Sequence, residues 1–168
     1  MRRVRAPRCR ARVRGLTLIE LMVTLAVLAV LISAAAPFMG DMVMNSRLRE
    51  SGNLLFTEAL IAQSEAIKRN TTVRVSNPDS ATVRVHDLSD PSSPVLLRER
   101  TLPEGATLPA SMTFDFGAEG RPVPFGASIA VNLGLAGGTC SDDLRCPGLR
   151  IDAGGAMRLC PNHQANCP

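Results

Sequence analysis

From Leu21 to Met39 the chain runs for 19 residues without a charged side chain, an apolar stretch interrupted only by Thr24 and Ser33. As a helix, that stretch is long enough to cross a bilayer core of roughly 30 Å. Beyond Pro37 the pattern becomes amphipathic. Leu48, Leu55, Ala59, Ala62 and Ala66 recur at helical intervals, with Arg47, Arg49, Glu50, Glu58, Glu65 and Lys68 expected elsewhere on the wheel. The two stretches predict a helix from Leu16 to about Arg69, roughly 80 Å long at 1.5 Å per residue. Pro37 should bend or locally break it. Gly52 costs about 1 kcal/mol relative to alanine in a helix interior, so it either admits a close neighbour or is simply tolerated.

After Asn70 the period changes from helical to alternating. Thr72–Ser76 and Thr82–His86 flank Asn77-Pro78-Asp79-Ser80, strong turn chemistry, and predict a β-hairpin. Further short strands are expected at Val95–Leu102, Met112–Phe116, Ser128–Leu133, Leu149–Asp152 and Ala156–Leu159, the last two joined through Ala153-Gly154-Gly155. Residues 134–148 are too rich in Gly and Cys to assign. Roughly 100 residues of β-rich chain make one small core if the second half of the helix covers a sheet face.

What precedes the apolar run changes this picture. Residues 1–15 hold seven arginines and no acid, and Gly15-Leu16-Thr17-Leu18-Ile19-Glu20 joins them to the run. A secretory signal has a similar basic start but places its cleavage site after the apolar stretch, where Ala34-Ala35-Ala36 would have to serve. That reading leaves Glu20 unexplained, since an ionisable group in a membrane segment is costly and ordinarily has a partner and a role. The pattern resembles the class III signal of type IV prepilins. The resemblance implies cleavage after Gly15 by a dedicated peptidase, methylation of the new terminus at Leu16, and Glu20 as the fifth mature residue. Leu16 stands where the family usually has phenylalanine. Pro37 falls where pilins carry a helix-kinking proline. Cleavage would place an amine in the membrane that can pair with the Glu20 carboxylate of a neighbouring subunit and set its register.

Charge must then be reread. The 168-residue chain has formal net charge +4 and pI about 9.1, which would suggest nucleic acid. Without residues 1–15 it holds 12 Lys plus Arg against 15 Asp plus Glu, near −3. The basicity belongs to the leader, where it holds the terminus on the cytoplasmic side. Of five cysteines, Cys9 lies in the leader. Cys140, Cys146, Cys160 and Cys167 remain for an oxidising compartment, with three possible pairings. Nearest-neighbour pairing, Cys140 with Cys146 and Cys160 with Cys167, is preferred because each pair is close in sequence and set among loop residues. The rival is a zinc site using Cys160, His163 and Cys167 with Cys140 or Cys146.

Ser64–Asn70, Phe114–Arg121 and Arg150–Cys160 narrow the resemblance to the GspH/FimT family of minor pseudopilins and minor pilins. It implies an α+β, pilin-like fold, with a long N-terminal transmembrane and amphipathic helix packed on an antiparallel β-rich head. The segments are a cleaved leader at 1–15, a transmembrane and assembly helix at 16–38, an amphipathic helix at 39–70, and a periplasmic head at 71–168 with a disulfide-pinned tail. Implied partners are the prepilin peptidase, other pilin-like subunits through their N-terminal helices, and the inner membrane. The implied role is non-enzymatic: a subunit of a type II secretion or type IV pilus fibre, anchored by a single inner-membrane pass.

Some FimT-like members bind DNA through a basic Gly-Arg-x-Arg element. Here Gly155-Ala156-Met157-Arg158 keeps only the glycine and the last arginine, so Arg145, Arg150 and Arg158 are the candidate DNA contacts. The chain has no Trp or Tyr to stack bases, and the simpler reading of these arginines is as solvated strand positions. A membrane-anchored periplasmic binding module without a fibre is the other alternative. His86 and His163 have no nucleophile pattern nearby. Gly134, Gly137 and Gly138 precede a cysteine loop rather than a phosphate-binding helix. Asp142 and Asp143 supply too few oxygens for calcium. Asn70-Thr71-Thr72 fits a glycosylation sequon. No cofactor or metal is expected.

Overall fold

The computed structural model describes residues 15–165 and Cys167, apart from the side chains of residues 35–38. It divides into two compact units, one ending at Phe38 and the other beginning at Met39. Helix α1, Leu18–Arg69, supplies the first unit and then the leading element of the second.

The helix starts two residues later than expected because Thr17 caps it: the Glu20 N–H donates to Thr17 Oγ1 at 3.3 Å. It stops where Asn70 enters the left-handed region at φ 53°. There the Thr71 N–H donates to Ala66 O and the Asn70 N–H to Ile67 O, a Schellman closure that satisfies the last carbonyls. Lys68 and Arg69 in the final turn complement the helix dipole.

Ten short strands follow: β1 Val73–Ser76, β2 Thr82–Asp87, β3 Val95–Thr101, β4 Ala106–Thr107, β5 Thr113–Phe116, β6 Pro122–Val123, β7 Ile129–Asn132, β8 Gly134–Leu135, β9 Gly148–Ile151 and β10 Met157–Cys160. They form an antiparallel five-stranded sheet in the order β3-β2-β1-β5-β6, a three-stranded sheet β10-β9-β7, and the two-residue ladder β4-β8. The three two-residue strands went unforeseen, since so short a segment carries no period. In the β1-β2 turn Asp79 Oδ1 accepts the Ala81 and Thr82 N–H groups at 2.7 and 2.8 Å, which holds its carboxyl below the usual range.

One cluster joins these layers. Leu48, Leu55, Ala59, Ala62 and Ala66 of α1 are buried with Val73, Val75, Val83, Val85, Phe114 and Phe116 of the larger sheet, and with Val131, Leu149 and Ile151 of the smaller one. The strict alternation in β1 and β2 puts every valine on the core side. Glu58 corrects the expected wheel. It lies on the core side of α1 with only 4% of its side chain exposed, because Arg98 and Arg100 of β3 reach it.

Candidate functional site

The first unit presents its residues with almost nothing covering them. Gly15 and Leu16 precede the capped start of α1, and Glu20 lies exposed in its first turn. From Leu18 to Ile32 the large apolar side chains are exposed on every side of the helix; Leu21, Leu25, Leu28 and Leu31 are each more than half exposed. A helix apolar all round needs an apolar environment. Its two hydroxyls are satisfied within it, Thr24 donating to Leu21 O and Ser33 to Val30 O, so neither needs water. Among the described residues no single helix is long and apolar enough to cross a membrane; Leu18–Ala34 and Met39–Arg69 meet that test as a pair. The backbone is helical through Pro37, whose side chain lies outside the described residues.

In the second unit the tail is fastened by two short loops. Cys140 is bonded to Cys146 and Cys160 to Cys167, with Cα–Cα distances of 5.6 and 5.8 Å. These bonds leave none of the four tail cysteines as a thiolate for zinc, and among the described residues no three His, Cys, Asp or Glu are gathered for a metal. His163 serves the tail structurally. Its backbone N–H donates to Cys146 O at 2.8 Å and its Nδ1 lies 3.0 Å from the same oxygen. His86 stands on β2 opposite Arg74. Asn70 closes α1 through its backbone, and its side chain is exposed.

Of the three candidate DNA contacts, the structure brings together two. Arg150 and Arg158 are register partners on β9 and β10, facing away from the side on which Leu149, Ile151 and Leu159 meet the head. Arg145 lies elsewhere, in the Cys140–Cys146 loop. There its N–H donates to Asn45 Oδ1 at 2.9 Å and its Nε to Asp142 O at 3.1 Å. It lines a cavity of about 500 Å³ walled on one side by Asn45, Arg49 and Asn53 of α1.

Two devices that lock helix to sheets were missed in the sequence. Arg98 donates through Nε and Nη2 to both carboxylate oxygens of Glu58, at 3.0 and 3.1 Å, a bidentate pair. Gln63 Nε2 donates to Gly120 O at 2.7 Å and to Gly155 O at 2.9 Å, so one amide holds the β5-β6 and β9-β10 turns. Gly155, at φ 90°, has no room for a Cβ between Gln63 and Gly120. These turns belong to Phe114–Arg121 and Arg150–Cys160, the stretches that carried the resemblance. A polar residue within an alanine-lined helix face was the available signal.

Residues 10–36 match the prokaryotic N-terminal methylation motif, and residues 51–163 match the type II transport protein GspH. The chain belongs to the GspH family. Its fold is shared with a minor pilin and a minor pseudopilin of known structure. The type IV minor pilin FimU of Pseudomonas aeruginosa superposes with a TM-score of 0.54 at 19% identity, over 66% of this chain and 90% of FimU. The minor pseudopilin EpsH from the type 2 secretion system of Vibrio cholerae superposes with a TM-score of 0.50 at 18% identity, over 68% of this chain and 96% of EpsH. No protein of curated function matches the sequence. The family is one of structural pilin and pseudopilin subunits of type II secretion or type IV pilus systems, and the GspH match covers most of the head together with α1 from Ser51 onward.

Proposed function

We propose that this GspH-family chain is a non-enzymatic minor pilin or pseudopilin subunit, cut after Gly15, methylated at Leu16 and anchored in the inner membrane by residues 16–38, with its head in the periplasm. The observation that carries the reading is the helix following Leu16: it is apolar and exposed on every side, with Glu20 as its one acid up to Met39. Lipid satisfies such a surface before assembly, and equivalent helices of neighbouring subunits satisfy it afterwards. Glu20 then pairs with the terminal amine of an adjoining subunit, an ion pair that low dielectric strengthens and that fixes axial register. Pro37 supplies the kink, and assembly into the fibre, or its priming, is the function.

The test is intact mass and N-terminal sequencing of protein recovered from membranes of a host with its own prepilin peptidase. A chain starting at methylated Leu16 supports the reading. A start at Met1 or after Ala36 overturns it. Glu20→Ala should still be cut and inserted but fail to assemble; normal assembly of that variant would remove the register pairing.

Arg150 and Arg158, side by side on a sheet face, favour a second reading, a DNA-binding minor pilin. It predicts retention on DNA at low salt that Arg158→Ala abolishes.

A further inference from the structure

The cavity between α1 and the tail is lined by groups of both charges. Its helical wall carries Asn45, Arg49 and Asn53, one turn apart each time, and its opposite wall carries Asp142, Asp143 and Arg145 from the loop closed by Cys140 and Cys146. The apolar part is Pro147, Leu159 and Pro161. At about 500 Å³ it is within the range of roughly 300–1,000 Å³ that ligand sites occupy. The walls are fixed. Asn45 Nδ2 donates to Asp143 O at 2.6 Å while its Oδ1 accepts the Arg145 N–H, so one side chain staples the disulfide loop to the helix. Pro147 lies against Gly52, where a Cβ would come within 2.7 Å of the ring. Both tail disulfides brace this wall, since Pro161 follows Cys160 directly.

Against that fixed frame the charges make no ion pairs, and the one hydrogen bond among their side chains is from Arg145 Nε to the backbone Asp142 O. Among the described residues neither Arg49 nor Arg145 is within ion-pair distance of a carboxylate, nor are Asp142 and Asp143 within that distance of a cation. Two guanidinium groups favour a carboxylate, which they can hold by charge-assisted hydrogen bonds. Two carboxylates in the same cavity repel a polyanion and favour an ammonium or guanidinium group. We propose that this cavity binds a peptide segment of another protein that presents an acidic and a basic side chain flanking an apolar one, the acid on Arg49 and Arg145, the base on Asp142 and Asp143, the apolar group on Pro147, Leu159 and Pro161. This site is in the head and does not depend on whether the N-terminal segment assembles.

The test uses the full chain in detergent micelles, with empty micelles as control, and fluorescence polarisation of labelled, end-blocked peptides. The probes are Glu-Leu-Leu-Lys, its neutral counterpart Gln-Leu-Leu-Gln, its all-acidic counterpart Glu-Leu-Leu-Glu, and a thymidine oligonucleotide. Glu-Leu-Leu-Lys should bind saturably and above the others. Arg49→Gln and Arg145→Gln should each weaken it roughly tenfold, the loss of one charge-assisted contact, and Asp143→Asn should weaken it while leaving Glu-Leu-Leu-Glu no worse. All three positions are exposed, and an unchanged melting temperature verifies that each variant is folded. No saturable binding at millimolar peptide, tighter binding of Glu-Leu-Leu-Glu or the oligonucleotide, or indifference to both arginine substitutions would overturn the proposal.

Discussion

Glu58 and Arg98 make an asymmetric pair. The Glu58 side chain is 4% exposed and that of Arg98 is 37% exposed, so removing the arginine strands a carboxylate in the core. Removing the acid frees an arginine that can turn to water. Arg98→Met should therefore cost more stability than Glu58→Met, by about 1–3 kcal/mol, the penalty of an unsatisfied buried polar group. Denaturant unfolding of the two variants checks the order; equal losses would mean that Arg100, 3.8 Å from Glu58, replaces its neighbour. His86 provides a pH handle. Burial, with Arg84 and Arg74 nearby, pushes its pKa below the ordinary 6.5, so folding favours the neutral ring. The stabilising contribution is complete above pH 6.5 and is lost as pH falls through the lower folded value. Stability should thus rise with pH in that window, and His86→Asn should flatten the slope.

Gly52 decides how α1 meets the tail. Its Cβ position is 2.7 and 2.8 Å from the Pro147 ring and 3.3 Å from Leu159. Alanine gains about 1 kcal/mol of helix propensity there, but overpacking costs about 1–3 kcal/mol, and a proline ring cannot swing aside. Gly52→Ala should therefore lower the midpoint of chemical denaturation, and a higher midpoint would show that the loop yields. Elements with a sustained period were legible in the sequence: the helix face from Leu48 to Ala66, and the β1 and β2 valines. The two-residue strands were not, because their pairing comes from tertiary contact. Glu58 was misplaced because a wheel cannot see the cations across from it. For the cavity, the sequence singled out neither Asn45 nor Asn53, and the wall that meets Asn45 lies 98 to 100 residues away in the chain and is placed by the disulfide loop.

For the molecule as a whole, the tail is the part most dependent on covalent closure. Each cystine closes a short loop, with separations of 6 and 7 residues, for which chain entropy gives about 2 kcal/mol apiece. Replacing Cys140 and Cys146 together by serine should destabilise the head by about that amount in thermal melts, and a larger loss would show that buried Cys146 also contributes packing. Gln63 has a mechanical consequence. If the subunit is drawn by its N-terminal end, tension enters the head along α1 and passes to the sheets through the chain and through lateral bonds. Glu58 hands it to the outer strand β3, and the single amide of Gln63 divides it between the β5-β6 and β9-β10 turns. Both sheets are then loaded together, and Gln63→Leu would be felt first as a lower rupture force under pulling.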